Sequence, residues 1–205
     1  MHWVSSLVLV VLSASSASAV VLNVVDGQLL GASGVVVNGT AYDVQFLDGT
    51  CTDLYDGCVA SGFLFPTAAE AEAASQALLD QVLLDGPLGS FDTVPGLTNG
   101  ISSGATTGHV WTPYAANAFN FAGAFVFNST ETVNKPSPPP PGDFVDTSVS
   151  TVGDDTSTDD SWTFAVWTPA APATPVPSFT GPAWLALLAL LGATGAWRIK
   201  HRNGS

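Results

Sequence analysis

Alternation of apolar and polar residues with a period of two marks several short segments of the chain as β-strands. The clearest case surrounds Asn38-Gly39, two residues that tolerate positive φ, between the apolar residues 35–37 and the alternating segment 40–46. This pattern predicts a β-hairpin with a half-buried second strand, because successive side chains of a strand point to opposite faces. The side chains expected on its buried face are Tyr42, Val44 and Phe46.

Two later segments, 119–128 and 161–167, alternate aromatic residues with small or polar ones, which predicts two further strands. Gly123 interrupts the first segment and indicates a bulge or a close approach of another segment. We also predict a shorter strand at residues 110–114. The side chains expected on one face of each aromatic strand are Phe119, Phe121, Phe125 and Phe127 in the first and Trp162, Phe164 and Val166 in the second.

One amphipathic helix of about 17 residues is predicted between Pro66 and Gly86-Pro87. Thr67 and Glu70 form a capping-box pattern at its start, and Gly86-Pro87 is expected to end it. Apolar side chains recur along it at helical spacing, and we expect the two aromatic strands to cover them. This apolar stripe consists of Ala71, Ala74, Leu78, Leu79, Val82 and Leu83.

Together these elements predict a single α+β domain over residues 20–168, in which an antiparallel sheet packs against one main amphipathic helix. Two segments of different composition interrupt the domain. Residues 135–142 are rich in proline and predict an extended spacer or loop. Residues 146–160 are rich in aspartate, serine and threonine and predict a mobile surface loop.

The N-terminal residues 1–19 have the pattern of a secretory signal peptide. A short apolar run is followed by serines and alanines and by Ala17-Ser18-Ala19, which suits signal peptidase, although no Lys or Arg precedes the run. The alternative is a buried N-terminal strand. The pattern favours export through the Sec machinery and cleavage after Ala19.

The C-terminal end has three parts: a proline-containing linker at 169–177, an uncharged apolar segment at 178–197 and a basic tail at 198–205. The apolar segment is long enough to cross a bilayer as a helix, which needs about 20 residues. Basic residues resist translocation, so the tail is expected to stay cytoplasmic and the domain to face outward. The alternative is a buried core helix, which the absence of any polar face disfavours.

This three-part end resembles the C-terminal sorting signal of PEP-CTERM proteins, exported bacterial proteins that an exosortase processes. The residues that carry the resemblance are Val176, Pro177, Arg198, Lys200 and Arg202, together with the Ala/Leu-rich span between them. The sequence departs from the family where Ser178-Phe179 follow Val176-Pro177, because the usual motif has a glutamate there. A variant signal and a plain membrane anchor therefore stay open as alternatives.

The domain itself is similar to an uncharacterised exported domain that often precedes PEP-CTERM tails, and no activity comes with this likeness. The stretches that carry it are residues 39–44, 48–51, 74–82 and 112–114. The resemblance implies an inner-membrane protein with its domain outside, which processing then delivers to the cell envelope or the extracellular matrix.

Charge narrows the possible partners. The chain has 17 acidic and 4 basic residues, and Lys135 is the only base between Asp26 and Asp160, a span that holds all the acids. Such a surface repels phosphate backbones, so we exclude nucleic acid as a partner. A solvated acidic shell explains the carboxylates without a special role.

Cys51 and Cys58 are the only cysteines. After export they would meet an oxidising compartment, and Asp56-Gly57 provides a turn that brings the sulfur atoms together. We therefore expect a disulfide. A metal site is disfavoured because two thiolates lack the further Cys or His ligands that zinc requires.

No catalytic, cofactor or metal residues can be assigned from the sequence. The domain has a single histidine, His109, which we expect in a surface loop, and no nucleophile motif accompanies it. The sequence therefore predicts a protein without enzymatic activity, an exported cell-surface or matrix protein of unknown molecular role.

The alternative is a carbohydrate- or calcium-binding module on a membrane stalk, with extracellular polysaccharide as a partner. Aromatic rings that are exposed would stack on sugars, while aspartates near the cysteine loop would supply oxygen ligands to Ca²⁺. A hydrolase that uses a pair of carboxylates is a third hypothesis. The sugar-stacking candidates are Trp111, Tyr114, Trp162 and Trp167, and the calcium candidates are Asp48, Asp53 and Asp56.

Overall fold

The computed structural model describes residues 19–117, 125–136 and 142–172. The described residues up to Ala170 belong to one compact unit, and the last two described residues, 171 and 172, lie outside it. The predicted signal peptide, membrane helix and basic tail, and the sorting residues Val176, Pro177, Arg198, Lys200 and Arg202, lie outside the described residues, apart from Ala19. In the described ranges, none of the helices is both long and apolar enough to cross a bilayer.

Strands dominate the described part of the chain, and one long helix accompanies them. Short 3-10 turns at Ala60–Gly62, Pro95–Leu97 and Thr156–Thr158 connect them. The helices and strands, in chain order, are β1 (Val21–Val25), β2 (Gln28–Val37), β3 (Thr40–Leu47), α1 (Cys51–Leu54), α2 (Ala68–Gln81), β4 (Asp85–Gly86), β5 (Gly89–Ser90), β6 (Gly108–Asn117), β7 (Val126–Asn134), β8 (Phe144–Thr151) and β9 (Trp162–Pro169).

Seven strands form one sheet in the order β1-β2-β3-β9-β6-β7-β8, while β4 and β5 pair as a separate short ribbon. Every pair in the large sheet is antiparallel except β6 and β9, which run parallel. The α+β class is confirmed, but the sheet is mixed rather than purely antiparallel. The physical reason is that β9 returns to the middle of the sheet and fills the place between β3 and β6, antiparallel to one and parallel to the other.

The predicted hairpin is confirmed. Asn38 and Gly39 have φ values of 49° and 82°, and Val37 pairs with Thr40 across the turn. Such a two-residue turn with two positive φ values matches the twist of the strands beside it. Val44 and Phe46 are 2% and 0% exposed, so the predicted inward face of β3 is also confirmed.

Helix α2 begins as predicted and ends earlier. The Thr67 hydroxyl accepts a hydrogen bond from the Glu70 amide, and this hydroxyl also lies 2.7 Å from Glu70 Oε2. The helix spans 14 residues, because the Leu83 amide bonds to the Leu78 carbonyl and closes its last turn. The prediction that Gly86-Pro87 ends the helix was wrong; these residues belong to the β4–β5 ribbon.

The apolar stripe of α2 packs on one face of the sheet and forms what we call the helix-side core. All six predicted stripe residues are buried there. Two buried hydrogen bonds add specificity: Ser75 Oγ lies 2.8 Å from Thr130 Oγ1, and the Thr132 hydroxyl donates to the Ser75 carbonyl. The sheet residues in this core include Val35, Val37, Val44, Phe46, Val110, Ala165 and Trp167.

A second core covers the opposite face of the sheet, and we call it the disulfide-side core. Its buried members are Cys51, Tyr55, Cys58, Phe63, Trp111, Phe127 and Phe164. The expectation that the face with Trp162, Phe164 and Val166 meets the helix was therefore wrong. Since β9 lies in the middle of the sheet and is covered on both sides, alternation alone does not tell which face meets α2.

The first aromatic strand is also placed differently. Strand β7 begins at Val126, so Phe125 lies just before it; Phe125 is 55% exposed, while Phe127 is fully buried in the disulfide-side core. Phe119, Phe121 and Gly123 lie outside the described residues. The shorter strand predicted at 110–114 extends over Gly108–Asn117.

The predicted acidic loop at 146–160 is only partly a loop. Its first residues belong to β8, the edge strand that pairs with β7 along eight consecutive positions. Serine and threonine are compatible with an edge strand, where one side faces water. Residues 137–141 of the proline-rich segment lie outside the described residues; beside them, the Lys135 amide donates to Asp143 Oδ1.

Candidate functional site

An open cleft of about 470 Å³ lies on the disulfide-side face of the sheet, beside the edge strand β8. We call it the Trp cleft. Two tryptophans from β6 and β9, two serines from β8 and polar residues of the β8–β9 loop line it. These residues are Trp111, Trp162, Ser148, Ser150, Asp154, Asp155, Thr156, Thr158 and Asp159.

The parallel pairing of β6 with β9 assembles the aromatic part of the Trp cleft. It places His109 directly beside Trp162, and their rings stack with centroids 4.2 Å apart and planes 19° apart. Trp111 lies against Trp162 with centroids 4.6 Å apart. The stack on His109 and the tilted contact with Trp111 together restrict the orientation of the half-buried Trp162 indole.

His109 lies in strand β6, so its predicted place in a surface loop was wrong. Its Nδ1 lies 2.6 Å from Glu131 Oε1 on the neighbouring strand β7, and both side chains are largely buried. This pairing and the stack on Trp162 give the histidine a structural role, which is to hold the Trp162 ring in place.

Trp111 brings an unusual feature to the cleft. Its side chain is 7% exposed and has edge contacts with Phe127 and Phe164. Its indole N–H is buried and, within the described ranges, has no hydrogen-bond acceptor. A buried donor without an acceptor costs about 1–3 kcal/mol, so this group favours any acceptor that reaches it.

The carboxylates of the cleft hold their own loop in shape. Asp154 accepts a hydrogen bond from the Thr151 amide, Asp155 from the Ser157 amide and Asp159 from the Ser161 amide. Each carboxylate has two oxygens with several lone pairs, so these bonds leave capacity for donors from a ligand.

Of the four sugar-stacking candidates, the structure brings two together. Trp111 and Trp162 line the Trp cleft, whereas Trp167 is buried in the helix-side core, where its indole N–H donates to the Thr112 hydroxyl. Tyr114 packs against the same helix-side core. Sequence reasoning missed Ser148 and Ser150, because they lie in β8, a strand within the segment that was predicted to be an acidic loop.

The predicted disulfide between Cys51 and Cys58 is present. The two Cα atoms are 5.1 Å apart, and both residues are buried in the disulfide-side core. The Tyr55 hydroxyl, between them in sequence, donates to the Ala165 carbonyl at 2.9 Å and so ties the loop to β9. Burial raises the pKa of Tyr55 well above its usual range.

The calcium candidates do not converge. Asp48 accepts from the Thr156 hydroxyl, and Asp53 accepts from the Thr50 hydroxyl at the start of α1. In the part of the chain that the structure describes, no group of three or more His, Cys, Asp or Glu side chains is arranged to hold a metal ion. The geometry therefore favours turn-forming roles for Asp48 and Asp53.

Asp48 allows a prediction about pH. Loss of hydration raises the pKa of Asp48 above its ordinary value, against hydrogen bonds from Thr156 and Thr163. A raised pKa means that the charged form is disfavoured in the folded state. The Asp48→Asn variant is therefore expected to unfold at a higher temperature than the parent at pH 7, and the gain should vanish below the ordinary aspartate pKa, near pH 3.

Asp85→Asn is the matched control in thermal unfolding. It removes the same charge as Asp48→Asn, but the pKa of Asp85 is lowered in the folded protein whereas that of Asp48 is raised. Hydrogen bonds, led by the Thr93 amide, lower the pKa of Asp85, so its charged form stabilises the fold above the ordinary aspartate pKa. Asp85→Asn should therefore lower the unfolding temperature at pH 7. A gain for both variants would point to general charge repulsion instead of the local environments.

Comparison with known proteins adds no assignment: neither a protein-family model, nor a curated protein, nor a solved structure matches this chain.

Proposed function

We propose that this chain is an exported protein without enzymatic activity, which a PEP-CTERM-like C-terminal signal holds in the inner membrane and then delivers to the cell envelope or the extracellular matrix. The observation that carries the proposal is the buried Cys51–Cys58 disulfide in a strongly acidic domain. Disulfides persist in oxidising compartments outside the cytosol, which agrees with the signal-peptide pattern of residues 1–19.

The surroundings of His109 support the absence of hydrolytic chemistry. An activated serine or cysteine needs a base within hydrogen-bond reach. The hydrogen-bond partner of His109 is the Glu131 carboxylate rather than a hydroxyl or a thiol, its ring stacks on Trp162, and both cysteines are consumed in the disulfide. The carboxylates of the Trp cleft hold turns, which suits a binding surface.

The sorting part of the proposal predicts the fate of the C-terminal end. Replacing Arg198, Lys200 and Arg202 together by glutamine should block processing, because the tail loses the charges that keep it cytoplasmic. The full chain is expressed in a bacterium that has an exosortase-type enzyme, and the mass of the intact mature protein is measured. The parent should begin at Val20, carry the disulfide and end near Val176-Pro177.

Lys135→Gln is the matched control, since Lys135 is the single base outside the tail. This variant should be processed like the parent. Normal processing of the triple variant would contradict the sorting proposal. A full-length parent recovered from the cytosol with both thiols free would contradict export itself.

A second candidate, a carbohydrate-binding module, is favoured by one specific observation. The Trp cleft combines two tryptophan rings with hydroxyl and carboxylate groups in an open groove, which are the group types that bind the apolar faces and the hydroxyls of sugars.

A further inference from the structure

The shape of the Trp cleft suits a chain-like ligand. Its volume of about 470 Å³ lies within the range of sites for small molecules, about 300–1,000 Å³, and it is open to solvent. The edge strand β8 borders it with Ser148 and Ser150, and the β8–β9 loop borders it with carboxylates and hydroxyls. An open groove of this kind admits part of a long molecule without enclosing its ends.

The aromatic part of the cleft calls for a ligand with apolar faces. The face of an indole is electron-rich and attracts the weakly positive C–H groups of a saturated ring. The exposed part of Trp162 borders the cleft, and the stack on His109 and the contact with Trp111 fix its orientation. A fixed ring loses little conformational entropy on binding, which strengthens the contact.

The polar part calls for a ligand that both accepts and donates hydrogen bonds. The buried Trp111 N–H lacks an acceptor among the described residues, and the side chain lines the cleft. The carboxylates of Asp154, Asp155 and Asp159 can only accept. A hydroxyl group meets both demands, since it accepts from an N–H and donates to a carboxylate. A water that bridges Trp111 to the ligand would meet the first demand as well.

Charge restricts the ligand further. Three aspartates line the cleft, and no basic side chain of the described residues lines it. The region between Asp26 and Asp160 carries 17 acids against one lysine, so a ligand with carboxylate or sulfate groups is repelled both locally and at long range. Uncharged or amine-bearing ligands escape this repulsion.

We propose that the Trp cleft binds a polysaccharide whose sugars are uncharged or amine-bearing, and that it discriminates against chains of uronic acids. The part of the Trp162 ring that His109 and Trp111 leave exposed contacts a sugar ring, and the cleft carboxylates accept hydrogen bonds from sugar hydroxyls. The inference rests on the second candidate function, and it does not depend on how the C-terminal end is processed.

The test measures binding of three oligosaccharides of equal length to the full chain by calorimetry: cellohexaose, the glucosamine hexamer and hexagalacturonate. The protein is kept in a polyoxyethylene detergent, because detergents with sugar headgroups would compete for the cleft. The first two hexamers should bind, and hexagalacturonate should bind about tenfold more weakly or not at all at low salt. No heat from any hexamer, or tighter binding of hexagalacturonate, would overturn the proposal.

Two variants on strand β8 locate the site. Ser148→Arg puts a long side chain into the cleft and should abolish binding, while Thr147→Arg adds the same charge on the opposite face of the same strand and should leave the affinity unchanged. Equal affinities for the two variants would place the binding elsewhere and overturn the inference.

Trp162 provides a second, independent pair. Trp162→Phe keeps an aromatic face and should retain the affinity within about threefold, whereas Trp162→Ala should weaken binding about tenfold or more. Thermal unfolding of each variant shows whether it is folded. If binding fails while export and processing are normal, the glycan-binding proposal is contradicted and the sorting proposal stands. If export fails while binding is normal, the sorting proposal is contradicted and the glycan-binding proposal stands.

Discussion

Replacing Phe164 with alanine is expected to lower the free energy of unfolding by about 3–5 kcal/mol. The side chain is fully buried, and its ring has contacts with those of Tyr55, Trp111 and Phe127 at centroid distances of 5.9, 5.2 and 5.8 Å. Because three elements meet at this ring, the neighbours cannot all move in to fill the space, and a cavity remains. Urea unfolding followed by circular dichroism measures the loss.

Phe144→Ala is the matched control for this change. The same atoms are removed from the edge strand β8, where Phe144 is 38% exposed, so little of a cavity is left and the loss should be clearly smaller. Similar losses for the two variants would mean that the disulfide-side core is not packed as described.

Replacing both cysteines with alanine is expected to cost about 2–3 kcal/mol, because the open loop has more freedom in the unfolded chain. Cys51 and Cys58 are seven positions apart, and both are buried beside Tyr55. Urea unfolding in the presence and absence of a thiol reductant measures the effect. The parent should lose stability on reduction and approach the double variant.

The double variant supplies its own control, since its stability should not respond to the reductant. If the parent is also insensitive while its thiols are shown to be reduced, the disulfide contributes nothing to stability and the prediction is contradicted. Loss of the disulfide should leave α2 and the helix-side core folded at low urea, because they lie on the other face of the sheet.

The elements predicted correctly from the sequence are those whose signals are local. Asn38-Gly39 fixes a turn by backbone conformation alone, and Thr67 fixes the start of α2 through one hydrogen bond. The cysteine loop is equally local, since its turn and its disulfide fall within eight residues. In each case, the residues that form the deciding interaction are only a few positions apart in the sequence, so a local sequence pattern is enough to predict it.

The errors concern partners that are distant in sequence. The sequence around residues 162–169 does not indicate that β9 lies in the centre of the sheet beside β6. It also does not indicate that Trp162 and Phe164 pack on the cysteine loop rather than on α2. The sequence of β8 resembles that of a loop, because an edge strand that is partly exposed to solvent needs few apolar residues. The end of α2 also depends on how Val82 and Leu83 pack rather than on the nearest glycine and proline.

The Trp cleft was also predicted only in part: its local features were found, and the partners that are distant in sequence were not. The sequence indicated tryptophans able to stack on sugars, and two of the four candidates line the cleft. His109 was wrongly expected in a surface loop and Ser148 was missed, because only the parallel β6–β9 pair and the β7–β8 pair bring these residues near the tryptophans. A site lined by three strands and a loop cannot be assembled from one stretch of sequence.

The position of β9 has a consequence for how the chain matures. Among the described strands of the large sheet, β1 to β3 are joined to β6 to β8 only through β9, which follows all of them in the chain. A polypeptide that leaves a ribosome or a translocation channel N-terminus first cannot close this sheet until residue 169 has emerged. The two groups of strands therefore stay unjoined until the end of the domain's synthesis, when β9 pairs with both of them.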